Sequence, residues 1–175
     1  MVLVKRKERS MILCTDVAYG SKSAVAAGVL FDNWGAEEPL STHLCCIDSV
    51  HPYRSGHFYE RELPCLLELL KGINRRPSMI LVDGFVWLGT EKPGLGQHLH
   101  LALEQKIPVV GVAKNSFANN DLARPVYRGN SQKALWVTST GVEPSVASQR
   151  VKSMHGEYRN PTLLKLVDRL CRDGL

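Results

Sequence analysis

Three acidic residues far apart in the chain, Asp16, Glu62 and Asp83, suggest the first chemistry to consider. Asp16 follows a short apolar run typical of a buried strand, Glu62 precedes leucines with helical spacing, and Asp83 directly follows the run MILV. Carboxylates that converge from separate elements repel one another unless cations neutralise them, and their hard oxygen atoms suit Mg²⁺ or Mn²⁺. Such a site can activate water and stabilise both oxygens of an in-line displacement on a phosphate.

Each acid alone has a simpler explanation. An Asp at the end of a strand is more often a turn former or a helix cap than a ligand. The metal-site interpretation therefore depends on whether the surrounding elements bring the three carboxylates together.

The first fifty residues predict an antiparallel meander. Residues 10–15, 23–34 and 40–49 have the composition of strands, and polar turns separate them. Three consecutive strands with connections this short should pair antiparallel.

The rest of the chain predicts alternating helices and strands. Residues 59–73 carry leucines on one helical face, and residues 79–82, 95–105 and 107–113 read as strand, helix and strand, which is a parallel βαβ unit. A hairpin (125–128 with 134–140) and two closing helices (143–154 and 161–172) follow. This order predicts an α/β fold with a ribonuclease-H-like mixed sheet, flanked by helices, in one domain over residues 1–175.

Composition favours an intracellular protein with a polyanionic partner. The 175 residues carry a formal net charge of +5 and a pI near 9.0, and lysines and arginines that neutralise phosphates release counterions. The five cysteines form no CxxC pair, which argues against a disulfide framework and favours a reducing cytoplasm. No apolar window approaches the roughly 20 residues of a membrane span, so we expect no membrane association.

Five ordered blocks resemble the endonuclease V family. Residues 16–31 (DVAYGSKSAVAAGVLF) are similar to its first catalytic strand region, and residues 53–67 (YRSGHFYERELPCLL) resemble its Y-x-P-G-F…F-R-E-x-P-x-L-L segment. ILVDG at residues 80–84 and IPVVGVAKNSF at residues 107–117 resemble its V-D-G and G-V-A-K blocks. RNPTLLKLVDRL at residues 159–170 is similar to its closing P-T-R-x-A-D helix.

This resemblance implies a role for individual residues. Asp16, Glu62 and Asp83 correspond to the family's metal-binding acids, the R-E-x-P spacing selecting Glu62 over Glu60, and Lys114 corresponds to a catalytic lysine near phosphate. The expected nucleic-acid contacts are Tyr53, Arg54, Gly84 and Lys114.

The implied activity is a Mg²⁺-dependent endonuclease, with Mn²⁺ able to substitute, that cuts one nucleotide beyond deaminated adenine (inosine) on its 3′ side. The implied partner is DNA or RNA, single-stranded or lesion-containing, in DNA repair or RNA processing. Aromatic residues in the loops, Tyr53, Phe85 and Trp87, offer stacking surfaces for unstacked bases. Basic residues fall in or near the loops expected on the active face: Lys22, Arg54, Arg61, Lys92 and Lys114.

The sequence also departs from the family pattern around the acids. The strand-separating P-Y-I-P wedge reads Pro52-Tyr53-Arg54-Ser55, and a substrate-facing His is missing from the loop after Asp83. The later G-H-K/R motif reads Gly141-Val142-Glu143, and His98, in LGQHLH, is expected to be structural.

These departures leave two alternatives open. One is a non-catalytic nucleic-acid-binding module that retains the carboxylates. The other is a nuclease of the same fold that acts on flapped or branched strands instead of a modified base.

Overall fold

The protein is described by a computed structural model that covers residues 10–50, 52, 54–55 and 57–175. Within that part of the chain, seven strands form one sheet and four helices cover its faces. The strands are β1 (Ile12–Tyr19), β2 (Ala24–Phe31), β3 (Ser41–Ile47), β4 (Met79–Asp83), β5 (Val109–Ala113), β6 (Arg124–Val126) and β7 (Leu135–Thr140). The helices are α1 (Phe58–Lys71), α2 (Leu95–Ala102), α3 (Pro144–Ser153) and α4 (Thr162–Asp173).

The predicted meander and parallel strands are confirmed. The sheet order is β3-β2-β1-β4-β5-β7-β6, in which β1 pairs antiparallel with β2, and β2 with β3. β4 pairs parallel with β1 and with β5, and β7 pairs antiparallel with β5 and with β6. The carboxyl ends of β1, β4 and β5 therefore lie at the same edge of the sheet.

Two apolar layers hold the sheet between the helices. α1 and α2 pack on one face over a cluster that contains Leu13, Leu66 and Leu99, and α3 and α4 pack on the other face over Ile12 and Val167. The strands at the centre are buried on both faces, which is why their sequences are continuous apolar runs.

Element ends differ from the sequence expectation for identifiable reasons. β1 continues to Tyr19, so Asp16 lies within the strand instead of after it, because residues 16–19 pair with residues 24–27 of β2. α2 ends at Ala102 instead of residue 105 because Glu104 and Gln105 adopt positive φ angles of 55° and 58°, which a helix cannot contain. β6 ends at Val126 instead of residue 128, and the side chain of Arg128 turns into the protein. Of the helices that the structure describes, none combines the length and the apolar character needed to cross a membrane.

Candidate active site

Asp16 and Asp83 lie side by side at the carboxyl edge of the sheet. Thr15 on β1 pairs with Val82 on β4 in parallel register, so the next residue of each strand is an aspartate. Asp16 is only 8% exposed, and its Oδ1 accepts a hydrogen bond from the backbone N–H of Val17 at 2.8 Å. Burial, with the nearby negative charge of Asp83, raises the pKa of Asp16 to about 7. A cation close to Asp16 would relieve this repulsion and lower the pKa of the carboxyl group.

Glu62 reaches the same charges from α1. It lies on the buried face of the helix and is 3% exposed. Burial raises the pKa of Glu62 well above its ordinary value, and the charges of Asp16 and Asp83 raise it further. Next to it, the Arg61 guanidinium lies 3.9 Å from the centre of the Tyr19 ring at the end of β1, which ties this turn of α1 to the sheet.

Lys114 supplies positive charge among the carboxylates. It follows β5, and its Nζ lies 3.2 Å from Asp83 Oδ2 and 3.6 Å from Asp168 Oδ1. Burial lowers the pKa of Lys114, but the charges of Asp83, Asp168 and Asp16 outweigh that effect and raise it overall. The lysine therefore stays protonated as the counter-ion of two acids.

Asp168 is a site residue that the sequence reasoning did not select. It lies on α4, contributes to the raised pKa of Asp16, and pairs with Arg172 at 2.9 Å. The signal was present in the sequence, because Asp168 falls within the fifth family-like block and directly follows the buried Val167. A carboxylate at the border of the buried face of a helix needs a partner, and here the partners are Lys114 and Arg172.

Asp16, Asp83, Lys114 and Asp168 line a cavity on the α4 side of the sheet, which we call the acidic cavity. Its lining consists of Thr15, Asp16, Val82, Asp83, Val112, Lys114, Leu135, Asn160, Leu164, Lys165, Val167 and Asp168. Among the described residues, no three His, Cys, Asp or Glu side chains are already drawn together closely enough to hold a metal ion.

The turn after Asp83 is held against β5 by a close backbone approach. A Cβ atom on Gly111 would lie 2.6 Å from the Gly84 carbonyl oxygen and 2.7 Å from the Val86 nitrogen. The Val86 N–H donates to Thr138 Oγ1 at 2.8 Å, and Gly84 adopts a φ of +123°, which favours glycine. Gly111 and Gly84 thus fix the path of the chain next to Asp83.

A second cavity opens on the α1 and α2 side of the same turn, and we call it the aromatic cavity. Its lining consists of Phe58, Tyr59, Gly84, Phe85, Leu88, Lys92, Pro93, Gly94, Leu95 and Phe117. Asp83 lines the acidic cavity and the next residue, Gly84, lines the aromatic cavity. The two cavities therefore adjoin at a single peptide unit.

The other residues named from the sequence lie around these cavities. Arg54 is exposed and pairs with Glu60 at 3.5 Å, whereas Tyr53 lies outside the described residues. His98 stacks on Tyr59 with ring centroids 3.6 Å apart. His100, two residues further on, is the buried histidine of α2, and its Nδ1 lies 2.8 Å from the Ile107 carbonyl oxygen.

A buried arginine organises the segment that closes the acidic cavity. The guanidinium of Arg128, 5% exposed, donates hydrogen bonds to the carbonyl oxygens of residues 152, 154, 156, 158 and 159. From this segment Arg159 donates to the carbonyl oxygens of Lys114 and Ala134. The backbone that carries Lys114 is thus tied to the segment between α3 and α4.

Comparison with known families gives a match over most of the chain. The family model Endonuclease V matches residues 2–154. The Endonuclease V of Streptomyces avermitilis is 30% identical over 184 residues, covering 91% of this chain and 78% of that protein. The Endonuclease V of Xanthomonas oryzae pv. oryzae strain PXO99A is 34% identical over 171 residues, covering 85% and 70%. The matched segment spans less than half the length of two other relatives, 42% in Rippkaea orientalis and 48% in Geotalea uraniireducens.

Solved structures confirm the ribonuclease-H-like fold class. The Streptomyces avermitilis Endonuclease V structure superimposes with a TM-score of 0.77 at 25% identity, over 94% of this chain and 81% of that one. The Ciona intestinalis Endonuclease V, in complex with DNA that contains an inosine followed by a ribo-adenosine, gives a TM-score of 0.81 at 19% identity, over 94% and 85%.

Proposed function

Because the chain belongs to the endonuclease V family, we propose that it is a divalent-metal-dependent endonuclease that hydrolyses a phosphodiester near inosine in DNA or RNA. The observation that carries this proposal is that burial and the charge of Asp83 on β4 raise the pKa of both Asp16 on β1 and Glu62 on α1, beside a cavity lined with aromatic rings. The inosine in the ligand of the Ciona intestinalis protein supports the choice of base.

The donor set fits Mg²⁺ or Mn²⁺. Asp16 and Glu62 both have raised pKa values, caused by burial and by charges that repel one another, so Lys114 does not fully compensate the charge of these two acids. Carboxylate oxygens are the ligands that these two ions prefer. Asp16, Glu62 and Asp83 would hold the ion, which would polarise the phosphate and lower the pKa of an attacking water.

The protein groups bind and orient the strand. A base in the aromatic cavity would stack on flat ring faces, and its backbone would then cross the peptide between Asp83 and Gly84 towards the acidic cavity. Lys114 and Lys165 line that cavity, where their ammonium groups would contact phosphate oxygens. The strand would be single-stranded or locally opened, because a base must leave its stack to enter a cavity of this kind.

Cleavage of an end-labelled oligonucleotide with one inosine tests the proposal. The substrate is supplied as DNA and as RNA, with Mg²⁺, Mn²⁺ or a chelator, to wild type, Asp83→Asn and the control Asp121→Asn, which changes an exposed loop acid. We expect metal-dependent nicking by wild type and the control, and a loss of roughly a hundredfold or more in Asp83→Asn.

Other outcomes identify the alternatives. Wild type that binds the strands and cuts none with either metal contradicts the nuclease and leaves a nucleic-acid-binding module. Cutting of an unmodified flap in preference to the inosine strand contradicts the base assignment alone.

A further inference from the structure

Aromatic rings line the aromatic cavity and contact one another or a neighbouring ring. Tyr59 on α1 stacks on His98 of α2 with ring centroids 3.6 Å apart and an interplanar angle of 11°. Phe85 and Phe117 meet edge to face, with centroids 6.1 Å apart at 61°. Glycines at positions 84 and 94 add backbone without side chains to the lining. A planar heterocycle suits this cavity because it can stack on the faces of these rings.

One cation stands at this cavity. Among the lining residues that the structure describes, Lys92 is the single charged side chain, and Tyr59 is the other side chain with a hydrogen-bond donor. The Lys92 ammonium lies 5.3 Å from the centre of the Phe117 ring. The cavity thus combines apolar faces with a strong donor.

The backbone of Lys92 is held by a short hairpin. Its carbonyl oxygen accepts from the Leu88 N–H at 2.9 Å, and its N–H donates to the Gly89 carbonyl oxygen at 3.2 Å. The Trp87 carbonyl oxygen accepts from Asn120 Nδ2 at 2.7 Å, which ties the hairpin to the loop after β5. Backbone hydrogen bonds therefore hold the position from which the Lys92 side chain extends to the cavity.

A lysine can distinguish the product of adenine deamination from adenine. Hypoxanthine presents two adjacent acceptors, O6 and N7, whereas adenine presents the N6 amino donor beside N7. An ammonium group carries three donors and no acceptor, so it binds the first pattern and opposes the second. We propose that Lys92 is the residue that selects a 6-keto purine over adenine in the aromatic cavity, an inference that rests on the proposed function.

Guanine shares O6 and N7 with hypoxanthine. Lys92 therefore selects both keto purines over adenine and makes no distinction between them. Loss of the lysine should therefore weaken the preference for both keto purines over adenine, whereas a general loss of binding would weaken all three strands equally.

The test is binding without cleavage. Fluorescence anisotropy with a chelator present gives the dissociation constants of single strands that differ only in one central inosine, adenosine or guanosine. The proteins are wild type, Lys92→Met, Lys92→Arg and Lys133→Met, the last being an exposed lysine outside the cavity.

We expect Lys92→Met to reduce the preference for inosine over adenosine by about tenfold, the range of one lysine contact to a base edge. The preference for guanosine over adenosine should fall by the same factor, while Lys92→Arg and Lys133→Met keep both preferences. An unchanged inosine preference in Lys92→Met overturns the role of Lys92 and leaves the nuclease proposal intact. Wild type with no inosine preference overturns the base assignment, and the role of Lys92 with it, whatever the cleavage assay gives.

Discussion

At the scale of single residues, the acidic cavity is governed by charge balance. Negative and positive side chains alternate here. Lys114 Nζ lies 3.2 Å from Asp83 and 3.6 Å from Asp168, and Arg172 lies 2.9 Å from Asp168. Asp16 and Glu62 lie behind them in more deeply buried positions, where neither has an ion pair among the described residues. Ionising Asp16 and Glu62 in the folded protein therefore costs free energy, and a measurement of stability in solution can detect that cost.

The stability of the metal-free protein should fall as pH rises from about 4 to about 7. The pKa of Asp16 is about 7 in the folded protein and 3.8 in the unfolded chain, so the folded state binds the proton more tightly and loses that advantage on ionisation. The upper limit for Asp16 alone is roughly 4 kcal/mol. Urea denaturation in a chelator should find Asp16→Asn more stable than wild type at pH 8, with the difference vanishing near pH 4. A difference that does not change with pH would contradict the assignment.

Replacing Lys114 with Met should separate metal affinity from turnover. Without the ammonium group the carboxylates have one counter-ion fewer, so Mn²⁺ should bind about threefold more tightly by isothermal titration calorimetry. Nicking should nevertheless slow by at least roughly tenfold, because a phosphate contact is lost. Weaker Mn²⁺ binding would show that Lys114 supports the metal site instead of competing with it.

At the scale of elements, the turn from β4 to α2 depends on the glycine of β5. Gly111→Ala would force its Cβ into the backbone at residues 84–86, next to Asp83. We expect a loss of about 2 kcal/mol in the free energy of unfolding, and a larger proportional loss of nicking in the folded fraction. Gly35→Ala is the control, since a Cβ there meets only Asn33 Oδ1 at 3.6 Å.

The segment between α3 and α4 depends on Arg128 in a similar way. Arg128→Met should cost about 3–5 kcal/mol in urea denaturation, because it removes a buried guanidinium and leaves partly buried carbonyl oxygens without donors. Arg124→Met, an exposed change on β6, should cost less than about 0.5 kcal/mol. Equal effects of the two changes would mean that the hydrogen bonds of Arg128 are not needed for stability.

These elements also explain what the sequence could predict. Apolar runs and periodicity located each strand and helix, although β1 continues through Asp16 to Tyr19 instead of ending at residue 15. The parallel register of β1 with β4, which brings Asp16 and Asp83 together, was not predicted, because the βαβ pattern covered only β4, α2 and β5. Asp168 and Arg128 were missed because their roles depend on contacts across the fold, with Lys114 just after β5 and with carbonyl groups 24 to 31 residues away. Local sequence patterns do not encode such contacts.

At the scale of the whole molecule, positive charge is distributed over both ends of the sheet. Lys165 lines the acidic cavity, whereas Lys106 precedes β5 at the opposite edge. The net charge of +5 should make binding to single strands fall steeply with salt, by about 0.7 in the logarithmic slope per phosphate contact. Anisotropy titrations at several salt concentrations should find that Lys165→Gln lowers the slope by about that amount and Lys106→Gln leaves it unchanged. Equal slopes for the two variants would place the strand elsewhere.

The position of Lys114 between two carboxylates has a thermodynamic consequence for the proposed enzyme. Binding of the metal ion would replace one positive charge, the Lys114 ammonium group, with another. The released ammonium group would then be free to attract a phosphate. By linkage, a bound nucleic-acid strand would strengthen metal binding by the same factor by which the metal ion strengthens binding of the strand. The protein would therefore bind the metal ion and the strand cooperatively, each weakly when alone and both tightly when together.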